Sequence, residues 1–571
     1  MEKNKTQTAE FDVLIVGSGI SGGWAAKEFC EKGMKTLVVE RGRFVEHGTD
    51  YFGENKDPWD MKFRDDVDRK LANTRYPIQK RCYAFKDSTK HFFADDVDHP
   101  YSKEEGTNFE WIKGFHLGGR SLLWHRQSYR WSEMDFESNA RDGYGTDWPI
   151  RYSDLKPWYD YVEEFVGVSG TLEGLAQLPD GVFLPPIGFN CAEEDFSKRV
   201  REAYDDRVLI PGRCAHLTEP QPIHIELGRG TCQSRNQCQR GCSLGAYFSS
   251  QSATLPAAER TGNLTIVTDS LVHSIIYDGE SKKASGVRVI NSKTKETNIF
   301  KARVIFLCAS TLGTTQILLN STSEYFPNGF ANSSDAVGRY LMDHLCSAGA
   351  TGEIDAFEDR YYIGRKPNSI YMPRFTNLTR DEEDFVRGFA FQGSGRRKDW
   401  KDRLADKGFG ADFKESFKTP GVWEINLEGY GEMLPDAGNR ASLHKTKKDQ
   451  WGLPQIHIDA KFGENDKKIR KTMMETAAEI MKKTGLKNVQ TYDTEDSLGL
   501  GIHEMGTARM GRNPKTSVLN GHNQCHDVDN VFITDGSAMA SSACQNPSLT
   551  YMALTARAVD YAVTNMKNHK I

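Results

Sequence analysis

Phe11-Asp12-Val13-Leu14-Ile15-Val16-Gly17-Ser18-Gly19-Ile20-Ser21-Gly22 is the stretch on which the fold turns. A short apolar run that stops on glycines predicts a buried strand and then a tight turn. Residues 24–32 have the composition of a helix, and Thr36-Leu37-Val38-Val39 reads as a second strand closed by Glu40. Strand, helix and strand within about thirty residues is the size of a βαβ unit. Gly17, Gly19 and Gly22 spell G-x-G-x-x-G: the first permits the turn, the second lets backbone approach a pyrophosphate, and the third lets helix pack on strand. The opening helix aims its unpaired N–H groups and positive dipole end at the phosphates. The motif is weak alone. Here it follows a strand, opens a helix and precedes Glu40, the expected ribose-binding acid, by a little over twenty residues. An acid there suits a free ribose diol and disfavours a 2′-phosphate. The turn does not separate NAD from FAD, although Glu40-Arg41-Gly42 so near the N-terminus leans towards FAD.

Outward from this unit, residues 50–110 are charged and aromatic and read as loops and short helices. Residues 148–165 turn helical, with Asp154 as a cap candidate near Trp158 and Tyr159. Residues 263–277, 285–290 and 298–306 alternate as strands do, and 304–309 form a second continuous apolar strand. Helices are predicted over 314–320, 466–484 and 549–566, with a strand at 531–534. Residues 354–458 are mixed and carry no phosphate-binding glycines. There is no internal repeat.

A chain of 571 residues exceeds a single small core, so two interleaved or sequential domains are expected. A net charge of −5 leaves no electrostatic footprint for nucleic acid. Lys445, Lys447 and Lys448 read as solvated surface. No run approaches the roughly 20 apolar residues of a membrane span. Residues 1–10 are polar, show neither a secretory core nor a twin-arginine pair, and lead into a strand. Eleven scattered cysteines argue against a disulfide framework and for a reducing compartment. Cys232, Cys238 and Cys242 have spacing compatible with thiolate ligation of iron–sulfur or zinc. The simpler reading of them is a cysteine-containing loop.

Four further segments resemble the glucose–methanol–choline (GMC) oxidoreductases. They are Gly118-Gly119-Arg120-Ser121-Leu122-Leu123-Trp124; residues 304–320, with Ala309-Ser310 and Gln316-Ile317-Leu318-Leu319; His503-Glu504-Met505-Gly506-Thr507-Ala508-Arg509-Met510-Gly511; and the run from Asp529-Asn530-Val531 through Asp535-Gly536-Ser537 to Asn546-Pro547-Ser548-Leu549-Thr550. With the first turn, five ordered segments span almost the whole chain, and residues 354–490 are covered loosely. Asp147-Trp148-Pro149-Ile150, Gly431-Glu432-Met433-Leu434-Pro435 and Trp451-Gly452-Leu453-Pro454 resemble the sugar-oxidising branch, which includes gluconate, fructose and sorbitol dehydrogenase large subunits, glucoside 3-dehydrogenases and pyranose oxidase.

The resemblance implies an α/β fold, with a Rossmann-like FAD-binding domain (1–155, 225–345 and 495–571) interleaved with an α+β substrate domain built on an antiparallel sheet (156–224 and 346–494). It implies that Gly17, Gly19, Gly22, Glu40 and Arg41 hold the ADP half of FAD, and that Val272 meets the adenine. Gly118, Gly119, Ser121 and Trp124 border the isoalloxazine; Ala309, Asp535, Gly536, Asn546, Pro547 and Leu549 complete the cofactor site. Pyranose oxidase carries its flavin-linking histidine directly before the matching tryptophan. Leu123 stands there in this chain, so a non-covalent flavin is expected, with His116 and His125 nearby. An iron–sulfur cluster is present in some relatives, in which two adjacent cysteines precede two more; Gln233 breaks that pattern here. The implied reaction is oxidation of a sugar or glycoside secondary alcohol, at C3 of a pyranose, by hydride transfer to flavin N5. His503 is the implied base, since a group with pKa near working pH serves best, and Asn546 holds the same substrate oxygen. Asn546 also suits a helix cap for residues 549 onwards. Oxidation of a polyol or aldonate, an O2-using pyranose oxidase, a non-catalytic flavin relay subunit and an NAD-dependent dehydrogenase are the alternatives. A small subunit and a quinone or cytochrome acceptor are the implied partners. The expected location is cytoplasmic, or periplasmic if a signal-bearing partner carries the chain out.

Overall fold

The computed structural model describes residues 11–379, 384–399, 402, 408–494 and 497–571; the polar stretch 1–10 lies outside them. The apolar run forms the strand Phe11–Val16, with Asp12 alone partly exposed. It pairs in parallel with Thr36–Val39 on one side and Thr297–Leu307 on the other. A strand so flanked and covered on both faces has no use for alternation, which is why it reads as continuous apolar sequence. The helix Ile20–Glu31 starts four residues before the expected 24, because Gly19 is its N-cap and the turn residues form its first turn.

The sheet runs Leu264–Val267, Thr36–Val39, Phe11–Val16, Thr297–Leu307, Lys283–Asn291, Ser270–Asp278, and Val531–Ile533 also pairs with Thr297–Leu307. The predicted strands 298–306 and 304–309 are therefore one. Its first half lies antiparallel to Lys283–Asn291 and its last residues lie parallel to Val531–Ile533. The alternating stretch 263–277 is two strands, parted where Asp269 takes φ +53°.

Helix Ile20–Glu31 packs on this sheet and on the C-terminal helix Ser548–Lys567. Phe29 meets Phe306 edge-on at 4.9 Å, and Phe306 stacks on Phe532 at 4.8 Å, so the first, middle and last parts of the chain share one core. Truncating the fully buried Phe29 to Ala would cost about 3–5 kcal/mol. Trp24 packs edge-on against Phe165 at 5.2 Å, on the helix Tyr152–Val166. In that helix Asp154 is not the cap: it is the third helical residue, and its carboxylate accepts the Arg151 N–H at 2.8 Å.

A second sheet is antiparallel, in the order Lys487–Asp493, Ala348–Ile354, Trp423–Gly431, Phe389–Arg397, Ile370–Met372, Ile210–Pro211. Trp423–Gly431 alternates buried and half-buried residues along its length. Its odd-numbered residues face the helix Glu464–Lys483, whose Met473 lies against Gly429 and Gly431. Its even-numbered residues face the other way. Glu428 and Tyr430 thereby reach the cavity between the two sheets. The architecture is the expected one, a Rossmann-like sheet with a parallel core and an antiparallel edge, combined with a second, antiparallel sheet. Among the described residues no helix is long and apolar enough to cross a membrane.

Candidate active site

The glycine turn is built as its spacing predicts. Gly17 has φ +92°, and a Cβ on it would sit 2.5 Å from the Cys308 carbonyl oxygen. A Cβ on Gly22 would overlap the Gly17 carbonyl, so helix and turn close on each other only through glycine. Gly19 differs: a Cβ there meets nothing nearer than the Gly118 oxygen at 4.0 Å, and the residue lines a cavity of about 500 Å³. That is the cradle a Cβ would fill, at a helix N-terminus, and it fits a pyrophosphate. The second glycine pair packs on the first. Gly118 donates its N–H to Ser18 Oγ at 2.8 Å, and Ser18 Oγ donates to Glu40 Oε2 at 2.5 Å. Glu40 also accepts from Ser18 N at 3.1 Å and Gly42 N at 2.8 Å, which holds its carboxylate at the cavity wall. Burial nevertheless raises its pKa.

The same cavity continues to His503 and Asn546. Asn546 Nδ2 lies 3.5 Å from His503 Nε2. His503 Nδ1 lies 2.8 Å from Nδ1 of His344, whose Nε2 donates to the Ser542 carbonyl at 2.9 Å. Asn546 Oδ1 accepts from Gln392 Nε2 at 2.6 Å. Asp343, 1% exposed, accepts the backbone N–H groups of His344, Gly499, Gly501 and His503 at 2.8–2.9 Å and so pins both histidines. Arg120, from the second glycine segment, is held by both carboxylate oxygens of Glu504 at 3.2 and 2.7 Å. That pair joins the segment to the loop carrying His503. Burial, with His344, Arg120 and His125 nearby, holds the His503 pKa well below its ordinary value. Burial and then Glu504 push Asp343 up to about 7 against its four N–H bonds.

Of the residues expected at the site, Gly17, Gly19, Glu40, Arg41, Gly119, Ser121, Trp124, Val272, Ala309, Asp535, Gly536, His503 and Asn546 line this cavity. Gly22, Gly118, Pro547 and Leu549 do not. Gly22 abuts the Gly17 carbonyl, a Cβ on Gly118 would overlap Gln251, Pro547 caps the C-terminal helix, and Leu549 is fully buried in the core. Asn546 is therefore not the helix cap. Its amide is committed to Gln392 and the space before His503. Asp343, His344 and Gln392 escaped the sequence reading. The alternation in Phe389-Ala390-Phe391-Gln392 was the available signal, since it puts Gln392 on the face opposite the aromatic rings. Cys232, Cys238 and Cys242 surround a separate cavity of about 20 Å³, with Cys232 Sγ 3.6 Å from His216 Nδ1. Among the described residues no three His, Cys, Asp or Glu side chains are grouped to hold a metal ion.

Two family models, both for GMC oxidoreductases, match residues 220–346 and 435–555. The fructose dehydrogenase large subunit of Gluconobacter japonicus is 26% identical, covering 98% of this chain and 99% of that protein. The 2-methyl-1,2-propanediol dehydrogenase of Mycolicibacterium austroafricanum is 27% identical, covering 97% and 96%. Pyridoxine 4-oxidase from Mesorbium loti has the same fold, with a TM-score of 0.61 at 15% identity over 97% of this chain and 99% of that one. The chain carries the N-terminal and C-terminal domains of the GMC oxidoreductases and is an FAD-dependent alcohol or sugar dehydrogenase.

Proposed function

We propose that the protein oxidises a secondary alcohol of a sugar or glycoside, with C3 of a pyranose as the target carbon, and that His503 is the base. The observation that carries this reading is the placement of His503 Nε2 and Asn546 Nδ2, 3.5 Å apart on the wall of the cavity that the glycine turn also lines. FAD, when bound, supplies the two-electron acceptor. His503 takes the hydroxyl proton, and a base that stays neutral at ordinary pH is available for it. Asn546 donates to the same oxygen, and two groups on one oxygen fix the direction of its C–H bond. Gln127, Ser347, Glu428 and Tyr430 give that part of the wall polar atoms suited to several hydroxyls. The likeness to a fructose dehydrogenase subunit supports a sugar, and C3 rests on the family resemblance alone. The likeness to a propanediol dehydrogenase favours a second reading, a smaller diol or polyol.

Gly17, Gly19, Glu40 and Arg41 hold the ADP half of FAD in this reading, and Gly119, Ser121, Trp124, Asp535 and Gly536 the rest. The segments 1–155, 225–345 and 495–571 form the FAD domain, and 156–224 with 346–494 the substrate domain. The pairing of Ile210–Pro211 with Ile370–Met372 supports that division. The name of the fructose enzyme's large subunit supports a small partner subunit, and the quinone or cytochrome acceptor rests on the family resemblance. The test is an anaerobic panel of sugars, glycosides and polyols, read by bleaching of the flavin band and by product analysis for the oxidised carbon. Glycosides should bleach fastest and yield the 3-keto product. His503→Ala should keep the flavin spectrum and lose bleaching by about 10²–10⁴-fold; normal bleaching in that variant would remove the assignment.

A further inference from the structure

The hydrogen bonds around His503 can be satisfied in one direction only. The Ser542 carbonyl oxygen accepts and cannot donate, so His344 carries its hydrogen on Nε2, 2.9 Å away. Burial holds the His344 pKa down to about 4, so the ring is neutral and Nδ1 is left as an acceptor. His503 Nδ1, 2.8 Å from that atom, must then bear the His503 hydrogen, and Nε2 keeps its lone pair. Asn546 therefore presents N–H to Nε2, and its oxygen is turned away to accept from Gln392 at 2.6 Å. Gln392 Oε1 accepts from Gln127 Nε2 at 3.1 Å, and Gln127 Oε1 accepts from the Tyr129 hydroxyl at 2.6 Å. Turning one amide sets donor against donor or acceptor against acceptor. Turning all three sets the Asn546 oxygen against the His503 lone pair. The chain is closed from Ser542 to Tyr129, and every side chain in it except His503 is at least nine-tenths buried.

We propose that His344 is a positioning residue that fixes His503 in the Nδ1–H tautomer, leaving Nε2 as the proton acceptor, and that the amide chain through Gln392 turns the Asn546 N–H towards the same point. The proposal rests on the reading of His503 as the base. An alcohol oxygen placed between the two groups accepts from Asn546 Nδ2 while its proton faces the free lone pair on Nε2. Without His344 nothing on that side selects the tautomer. The Nε2–H form then competes, and it presents a hydrogen where a lone pair is needed. Asp343 holds the backbone of both histidines, so the geometry outlasts loss of the His344 ring.

Three variants and one direct observation test this. His344→Phe removes the acceptor and keeps the bulk. His344→Asn restores an acceptor, since its Oδ1 stands where Nδ1 was. His503→Ala reports on the base itself. For His344→Phe the expected result is full FAD content, a KM within about threefold and a limiting flavin-reduction rate down about 10²-fold. His344→Asn should recover most of that loss. A normal rate in His344→Phe overturns the proposal. So does an equally slow His344→Asn with FAD bound, which would reduce His344 to packing. Histidine-ring 15N NMR of the apoprotein gives the tautomer without turnover: hydrogen on His503 Nδ1 in wild type supports the proposal, and hydrogen on Nε2 overturns it. A fast His503→Ala would instead remove the base assignment, whatever the NMR shows.

Discussion

Gly19→Ala separates the role of the glycine turn in folding from its role in binding. The residue has φ −66° and ψ −161°, a backbone that alanine adopts freely, and its Cβ would lie 4.0 Å from the nearest atom. In the apoprotein the change should therefore be neutral or stabilising by about 0.4–1 kcal/mol, through the unfolded state. The added methyl projects into the cavity at the mouth of the helix, where the phosphate oxygens of FAD would approach the backbone. Pushing a phosphate back by one methyl breaks two hydrogen bonds to a charged group, at about 1.5–3 kcal/mol each. The sum, about 3–6 kcal/mol, corresponds to roughly a 10²–10⁴-fold weaker Kd for FAD. Gly22→Ala should behave in the opposite manner. Its Cβ overlaps the Gly17 carbonyl, so the helix must move off the strand, and overpacking of this kind costs about 1–3 kcal/mol before any cofactor binds. The assay is titration of apoprotein with FAD by fluorescence quenching, beside thermal unfolding of the apo forms. Wild-type FAD affinity in Gly19→Ala would refute the phosphate cradle. An unchanged midpoint in Gly22→Ala would refute the packing argument.

Two pH dependences follow from the buried groups. His503 is held well below its ordinary pKa, so it is protonated, and unable to accept, only in acid; the flavin-reduction rate should be flat from roughly pH 6 to 9. An inflection near 6.5 that vanishes in His503→Ala would contradict this. Asp343, facing Glu504, His344, His503 and Arg120, has its pKa raised to about 7, above an unfolded value near 4. A raised pKa gives stability that is present below the unfolded pKa and lost as pH rises through the folded one. Between pH 5.5 and 8 the loss is about 2 kcal/mol. The thermal midpoint of Asp343→Asn should therefore fall less over that interval than that of wild type. Equal falls would refute the assignment.

The cofactor half of the molecule was legible because each of its demands falls on a residue type that few others replace. A turn with φ +92° at Gly17 and a contact closed by the Gly17 carbonyl at Gly22 both require glycine, and they write a spaced motif into the chain. Fully buried parallel strands likewise leave unbroken apolar runs. The proposed catalytic end was half legible. His503 and Asn546 stand in recognisable segments, whereas His344 and Gln392 act through the partners that folding brings to them, 159 and 154 residues away in sequence. Alternation gives the face on which Gln392 lies but not the partner it will meet there. The helix start at Ile20 and the break at Asp269 were missed for a related reason: glycine at a cap and a single left-handed residue change chain direction without changing composition.

The sharing of one core by Phe29, Phe306 and Phe532 sets the order in which the protein can be made. A chain emerging from the ribosome displays the strand Phe11–Val16 first, but its neighbour Thr297–Leu307 arrives nearly three hundred residues later, and Val531–Ile533 later still. Until then Phe306 has one aromatic partner in place of two, and the edge of the strand that carries it lies open. The βαβ unit must wait in that state, exposed to the aggregation that unpaired apolar edges invite. His503 and Asn546 also come late, so a stalled chain holds an incomplete nucleotide cradle and lacks the proposed base. Reactive chemistry is thereby confined to finished molecules.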